Sequence, residues 1–417
     1  MFDENKDELF FAAEDHPEEN KETLAPWKIM IVDDEAEVHE ITKMALSNFL
    51  YESRKLEFIS AYSGIDAKNA ILEHPDTVLI LLDIVMEEDN TGLQIVEYIR
   101  ENLKNKTVRI VLRTGQPGYA PEREVIINYD INDYKEKSEL TAQKLFTSVV
   151  AAIRSYSDLL TIETSAKEKE RIEGELQIAR RIQSSSMPSN FPLFPEKKEF
   201  EIHALMLPAH EVGGDFFDIF LIDDENLCFL IGDVSGKGIG ASLFMMQCKT
   251  LLRSEAMHNK TPDKTLGQVN TFLCTFQTNQ LFATIFIGFL NLKTGELTYS
   301  NAGHNPPMLK KEDGSFDYMA LPEGLPINLF TDSEYSSRSI KLSNGDIFFG
   351  YTDGITEALN KQEEFFGDKK LINTLNSSEF TKVEKITSHI LEKVQKYAEE
   401  AQQSDDITIM TLKFLNQ

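Results

Sequence analysis

Carboxylates that stand beside apolar runs are the residues of this chain best suited to chemistry. Asp33 and Asp34 follow the run WKIMIV (27–32), and Asp83 follows TVLILL (77–82). A third run, VRIVLR (108–113), leads into Thr114, and Lys137 stands in YKEKSE. If these runs are parallel strands, their ends share one sheet edge, where doubly wound folds bind ligands. Three carboxylates gathered there repel one another unless a hard cation joins them. Mg2+, which takes oxygen ligands and retains waters, fits that donor set. A carboxylate beside such an ion can attack a phosphoryl group and become an aspartyl phosphate. The Thr114 hydroxyl and the Lys137 cation would then meet the phosphoryl oxygens.

A second acidic set lies downstream. Asp215 stands in EVGGDFFD, Asp233 in CFLIGDVSGKGIGAS, Asp353 in FFGYTDGITEA, and Asp405 and Asp406 in SDDITIM, each at the edge of an apolar run. Glycines 236, 238 and 240 let the backbone pass close to a ligand before a helix begins. Separated acidic points of this kind can converge on one site. Carboxylates and water, with no His or Cys cluster, favour Mg2+ or Mn2+ over Zn2+. Two such ions bridged by Asp233 would lower the pKa of a water and orient it for in-line attack on phosphorus. Phosphate monoesters hydrolyse very slowly unaided, so strong charge neutralisation is needed.

Recognisable elements position these groups. Up to about residue 140, apolar runs alternate with helical patterns at Val38, Ile41, Ala45 and Leu46, and at Leu93, Val96 and Ile99. That alternation predicts a doubly wound parallel sheet. Residues 1–26 are acidic and aperiodic, a loose arm. From 141 to 186 the chain has no Pro, and no Gly before Gly174. Leu145, Val149, Ile153, Tyr156 and Leu160 keep helical spacing, and Ile172, Leu176, Ala179 and Ile182 make one apolar stripe on a charged stretch. Such a stripe is either a coiled-coil seam that pairs two copies or a face lying on the next domain. MPSNFPLFP ends this helix. Beyond it come FEIHALML, NLCFLIGDV, ATIFIGFLNL, ELTYSNAG, DIFFGYTDG and DITIMTLKF, punctuated by KTGE and SNGD, which read as hairpin turns. Helical patterns lie around 240–256 and 380–401. This is the texture of an antiparallel α+β domain with stacked sheets.

Composition sets outer bounds. The chain has 417 residues, 41% of them apolar, which allows two or three domains with proper cores. Net charge is −27, from 42 basic and 69 acidic residues, and no dense basic run offers a face for nucleic acid. No apolar run approaches the roughly 18 to 20 residues of a membrane span. The acidic N-terminus lacks the order of a signal peptide, so the expected location is cytoplasmic. Cys228, Cys248 and Cys274 have no paired spacing and read as reduced, packed thiols.

The first set resembles the CheY-like receiver of response regulators, over roughly residues 27–155. The resemblance implies a five-stranded sheet in a receiver at 27–140. It makes Asp83 the phosphoacceptor, with Asp33 and Asp34 as the acidic pair that holds Mg2+ beside it. It also makes Thr114 and Lys137 phosphoryl ligands and Tyr134 an aromatic switch. Lys137 precedes Ser138 where the family usually has Pro, and Glu87 departs from the pattern after Asp83; both bear on loop geometry. A sensor histidine kinase or phosphotransfer protein would be the phosphodonor.

Downstream of a receiver, Gly-Gly-Asp-Phe first brings to mind a nucleotide cyclase of the GGDEF type. The Glu of that motif is Phe here, and a cyclase would not place Asp353 and Asp405 in these settings. The ordered set GGDFFD, GDVSGKG, LFATIFIGFL, YSNAGHNPP, YTDGITEA and SDDITIM instead resembles the PPM (type 2C-like) serine/threonine phosphatases, in their sporulation protein E-type branch, over about 175–415. That implies two stacked antiparallel sheets flanked by helices at 187–417, joined to the receiver by the long helix at 141–186. It implies two Mn2+ or Mg2+ ions held by Asp215, Asp233, Asp353 and Asp405, with the Val234 carbonyl reaching the second ion. Asp405 is preferred to Asp406 because the family's pair uses its first member. Asp218 is a supporting acid, His304 a turn residue rather than a general acid, and Lys237 either touches substrate phosphate or is solvated. The substrate class implied is a phosphoserine or phosphothreonine protein, an anti-sigma factor antagonist. The alternative is a catalytically silent adaptor that holds a partner protein under receiver control.

Overall fold

Strands buried on both faces read as apolar runs, and three strands of the first sheet, Trp27–Val32, Leu79–Asp83 and Arg109–Thr114, are largely of this kind. The computed structural model describes residues 24–115, 129–137, 141–275, 281–311, 314–399, 401 and 403–416. The acidic arm up to residue 23 and Ser138 lie outside the described residues. The chain divides into two compact units at Glu170–Arg171, and each is described by itself.

In the first unit, β1 (Trp27–Val32), β2 (Leu56–Ala61), β3 (Leu79–Asp83), β4 (Arg109–Thr114) and β5 (Asp133–Glu136) form one parallel sheet in the order β2-β1-β3-β4-β5. Alternate residues take opposite faces. Met30, Val32, Ile80, Leu82, Ile110 and Leu112 enter one core with Ile71 of α2 (Gly64–Glu73) and Ile95 and Val96 of α3 (Thr91–Glu97). Ile29, Leu79, Leu81 and Val111 enter another with Leu46, just past α1 (Ala36–Ala45). That second core is closed by Leu145, Val149, Ala152 and Ile153 from the start of α4 (Ala142–Ser186). By length and composition one stretch of α4 is apolar enough to cross a membrane, and 22% of that stretch is buried in protein. Further along α4 the side chains are largely exposed. Of the apolar stripe, Ile172 and Ile182 are 44% and 59% exposed, whereas Leu176 and Ala179 are half-buried.

The second unit holds two antiparallel sheets. One contains β7 (Phe216–Leu221), β8 (Asn226–Val234), β9 (Ala283–Asn291), β10 (Glu296–Ala302) and β13 (Ser337–Lys341), in the order β13-β10-β9-β8-β7. The other contains β6 (Phe200–Leu207), β11 (Met308–Lys310), β12 (Phe316–Tyr318), β14 (Ile347–Tyr351) and β15 (Ile407–Phe414), in the order β12-β11-β14-β15-β6. Phe229 and Phe286 of the first sheet meet Phe348 of the second at ring distances of 5.0 and 5.3 Å, so the sheets stack over an aromatic core. Helices α5 (Ile239–Ala256) and α6 (Pro262–Thr275) give Met245, Cys248, Leu252, Leu266 and Val269 to that core. After the one-turn helix α7 (Asp353–Thr356), α8 (Gly367–Asn376) and α9 (Val383–Ala398) pack Leu371, Ile386 and Ile390 against the outer face of the second sheet. KTGE turns β9 into β10 as a hairpin. SNGD does not make one: β13 and β14 lie in different sheets, so this turn carries the chain between layers. Gly345 there has φ +89°, and the buried Asp346 carboxylate accepts the Ser343 N–H at 3.0 Å. Cys228 and Cys248 are buried free thiols, as their apolar neighbours imply.

Candidate functional site

The parallel register brings the first acidic set to one edge. Asp83 is the last residue of β3 and pairs with Arg113 of β4; Thr114 ends β4 opposite Glu136, one residue before Lys137. Asp33, directly after β1, is fully buried and Asp83 nearly so. Lys137 Nζ binds Asp83 Oδ2 at 2.9 Å, Asp33 Oδ2 at 3.1 Å and Glu35 Oε1 at 3.3 Å. Burial pushes the Asp83 carboxyl above its usual range, and Lys137 opposes that shift without cancelling it. Burial alone would lower Lys137, but its hydrogen bond to Asp83 and the charges of Asp83 and Asp33 outweigh it and raise its pKa. Carboxylate oxygens of Asp33, Asp34 and Glu35 all lie within 4.8 Å of one another, a donor set suited to a hard cation. Gly92 packs on the Asp83 carbonyl so closely that a Cβ would overlap it. Thr114 is buried at the same edge, and Tyr134 packs in the core beneath.

Two residues that sequence reasoning left out complete this pocket. Glu35 joins the aspartate pair, and Arg113 Nη2 reaches Asp33 Oδ2 at 3.3 Å while Nη1 donates to Thr42 Oγ1 at 3.1 Å. Arg113 is almost wholly buried, and that burial lowers its pKa against the pull of Asp33 and Asp83. Its position at the end of a strand edged by acids was the available signal.

The second set converges from two sheets. Asp233 lies near the end of β8, Asp215 immediately precedes β7, Asp353 starts the one-turn helix after β14, and Asp405 and Asp406 precede β15. Asp215 is buried, and its Oδ2 accepts the Thr352 and Thr408 hydroxyls of the opposite sheet's strand ends at 2.7 and 2.6 Å. Burial and the charges of Asp233 and Asp406 hold Asp215 well above the usual carboxylate range. Burial, then the charges of Asp353 and Asp405, pushes Asp233 up to about 7, although Asp215 is close enough to hydrogen-bond with it. Asp353 is also raised, first by burial and then by Glu357 and Asp405. Carboxylates so placed must keep protons or take a cation. Their chemistry therefore fits divalent metal, although among the described residues no three of them bring oxygens within 4.8 Å of one another. A pair of ions spreads ligands in that way.

Asp405 and Asp406 play different parts. Asp406 is buried, and three backbone N–H groups occupy its carboxylate: Ala209 at 2.8 Å, Gly214 at 2.7 Å and Asp215 at 3.3 Å. Asp405 is half-buried, pairs with Lys237 at 3.0 Å, and is felt by both Asp233 and Asp353. The motif glycines follow from this packing. A Cβ on Gly213 would overlap Asp406 Oδ2, one on Gly354 would overlap the Asp406 carbonyl, and one on Gly214 would sit 2.8 Å from the Val234 carbonyl.

Residues 223–415 match the family model described as Stage II sporulation protein E, a span that begins just after Asp215. Chemotaxis protein CheY1 of Helicobacter pylori is 30% identical over 109 residues, 26% of this chain and 82% of that protein. The chain joins a CheY-type receiver to a SpoIIE-family domain.

The phosphoserine phosphatase RsbU of Bacillus subtilis is 25% identical over 245 residues, 59% of this chain and 71% of that protein. The 3'3'-cGAMP-specific phosphodiesterase 2 of Vibrio cholerae is 51% identical over 138 residues, 33% of this chain, yet the chain spans only 26% of its length. The chain likewise spans 41% of the Synechocystis protein IcfG. The SiaA-PP2C domain of Pseudomonas aeruginosa shares the fold, with TM-score 0.53 and 20% identity over 60% of this chain and 99% of that one.

Within the SpoIIE-family domain, two further residues named from sequence have buried partners of their own. Asp218 is fully buried and pairs with Lys249 at 3.1 Å and Arg253 at 2.9 Å, fastening α5 to β7. His304 is buried between sheets: Nδ1 meets Thr284 Oγ1 at 3.0 Å and Nε2 meets the Tyr351 carbonyl at 3.1 Å. Burial pushes it down to about 4, which favours the neutral ring. Thr352 and Thr408 were in quoted motifs without a role; only the facing of the two sheets assigns them one. Gln183, in α4, lies within the span of the phosphatase resemblance but drew no role from the sequence, and its side chain bonds Gly213.

Proposed function

We propose that this chain is a response regulator whose output is metal-dependent dephosphorylation of a phosphoserine or phosphothreonine protein. The observation that carries the reading is the convergence of Asp215, Asp233, Asp353 and Asp405 from two sheets into one buried, under-neutralised cluster. These four, with the Val234 carbonyl, would hold two Mn2+ or Mg2+ ions. Bound there, the ions would supply an activated water and charge for the phosphoryl oxygens. The chain's own residues do the rest. Thr352 and Thr408 engage one oxygen of Asp215, which leaves the other for metal. Asp406 fixes the Gly214–Asp215 backbone, and Lys237 orients Asp405 from the rim.

Several parts of this reading rest on the family. An anti-sigma factor antagonist is the substrate proposed, and RsbU, named a phosphoserine phosphatase, supports that class. Control would come from Asp83, phosphorylated by a sensor histidine kinase or phosphotransfer protein, with Mg2+ on Asp33, Asp34 and Asp83. Lys137, already on Asp83, would follow the phosphoryl oxygens, and Thr114 and Tyr134 would register the change. We take the receiver as 27–140, the linker as 141–186 and the phosphatase as 187–417, working in the cytoplasm. Exposed Ile172 and Ile182 give the linker a seam for a second copy. The test is Mn2+-dependent hydrolysis of a phosphoserine protein by the full chain and by Asp233→Ala. The expected loss is at least about a thousandfold, as when a main charge-stabilising group is removed. Full activity in Asp233→Ala would overturn the site.

A further inference from the structure

The last turns of α4 belong to the second unit, and most of their side chains are exposed. Gln183 is the exception, at 4% exposure. Its Nε2 donates to the Gly213 carbonyl at 2.7 Å, and its Oε1 accepts the Gly213 N–H at 3.1 Å. A single carboxamide thus satisfies both backbone groups of one residue, as a neighbouring strand would. The next two N–H groups, of Gly214 and Asp215, go to Asp406. The backbone leading to Asp215 is therefore held from one side by helix α4 and from the other by Asp406. Gly213 has no room for a Cβ, so the loop lies flush between these two holds. The chain is itself fixed just past this level: Ser186 Oγ lies 3.2 Å from Met246 Sδ, and Met187 enters the core.

We propose that Gln183 is a positioning residue for the metal site: its paired hydrogen bonds to Gly213 set the place of Asp215 among the carboxylates. Asp215 has little freedom beyond its backbone, because Thr352 and Thr408 already hold one of its oxygens. A loop that slides by a fraction of an ångström moves the remaining oxygen away from Asp233. The Asp406 bonds do not replace the lost pair, since they reach Gly214 and Asp215 and leave both polar groups of Gly213 unmet.

This inference rests on the reading of the acidic cluster as a metal site. Its test is Mn2+ binding to the full chain by calorimetry, for wild type, Gln183→Ala and Gln183→Glu, beside the Mn2+ dependence of hydrolysis. Groups that support metal ligands typically change affinity by about 10- to 100-fold when removed. Gln183→Ala is expected to weaken Mn2+ binding by about tenfold or more, with the rate at saturating Mn2+ recovering to within a few fold. Amide hydrogen exchange at residues 213–215 should speed up in the metal-free variant. Gln183→Glu keeps an acceptor for the Gly213 N–H but sets a carboxylate oxygen against the Gly213 carbonyl, so it should weaken Mn2+ binding as well, and it covers the case in which the alanine variant melts. Unchanged Mn2+ affinity in both variants, or a loss of activity that no Mn2+ concentration reduces, would overturn the proposal. Wild type that binds no Mn2+ would overturn it together with the metal site. Wild type that binds Mn2+ but hydrolyses nothing would sink the phosphatase reading alone, with the calorimetry still deciding on Gln183.

Discussion

In the receiver pocket, Lys137 lies 3.1 Å from Asp33 and 2.9 Å from Asp83, and Arg113 lies 3.3 Å from Asp33. In the SpoIIE-family domain, buried Asp215 faces hydroxyls and other carboxylates, and Lys237 pairs with Asp405 at the rim. The same residue type thus sits in two electrostatic settings. The receiver carries internal counter-ions, which oppose without cancelling the rise that burial gives Asp83. The second site raises Asp215, Asp233 and Asp353 and leaves their neutralisation to protons or to metal. On the proposed reading Asp83 is a phosphoacceptor that is freed and refilled, and a partly balanced pocket suits that role. A hydrolytic site gains most from strong charge on bound metal.

The contrast can be broken at the adjacent pair Asp405 and Asp406. Asp406→Asn puts an amide donor against backbone N–H groups that now share one carboxylate. The unmet donors should cost roughly 3 kcal/mol, read as a lowered unfolding midpoint of the second unit. Asp405→Asn loses only a half-exposed ion pair, so its stability should change by about 0.5 kcal/mol or less. It should instead lose Mn2+ affinity. If both variants behave alike, the division of labour between them is wrong.

A smaller effect sharpens the receiver side. Arg113→Met fills similar space without the charge. The remaining carboxylates should then bind Mg2+ roughly tenfold more tightly, because a competing cation has gone. Fluorescence or calorimetric titration with Mg2+ reads this directly. Unchanged Mg2+ affinity would show that Arg113 does not act as a counter-ion to the metal position.

Much of both sites was legible because each aspartate abuts an apolar strand, and strand ends in a parallel or stacked sheet gather on edges. The runs FEIHALML, NLCFLIGDV and DITIMTLKF mark β6, β8 and β15 closely. What sequence hid was contact between layers. SNGD has hairpin chemistry, yet the chain uses it to change sheets, a choice set by where β13 finds its partner β10. Helix α6 was missed because Leu266, Val269 and Leu273 are diluted by Thr, Asn and Gln in a short amphipathic pattern. Gln183, Thr352 and Thr408 are ordinary polar residues until the fold aims them at Gly213 and Asp215. The GGD run itself turned out to be steric: its glycines make room for Asp406 and the Val234 carbonyl, not for a nucleotide.

The central claim joins the two sites, and one measurement addresses it. The full chain is assayed for Mn2+-dependent release of phosphate from a phosphoserine protein, with and without beryllofluoride as a phosphoryl mimic on Asp83, beside Asp83→Asn. The account predicts hydrolysis that differs between the two states in the wild type and does not respond to the mimic in Asp83→Asn. Equal rates with and without the mimic in the wild type, or no hydrolysis in either state, would contradict it.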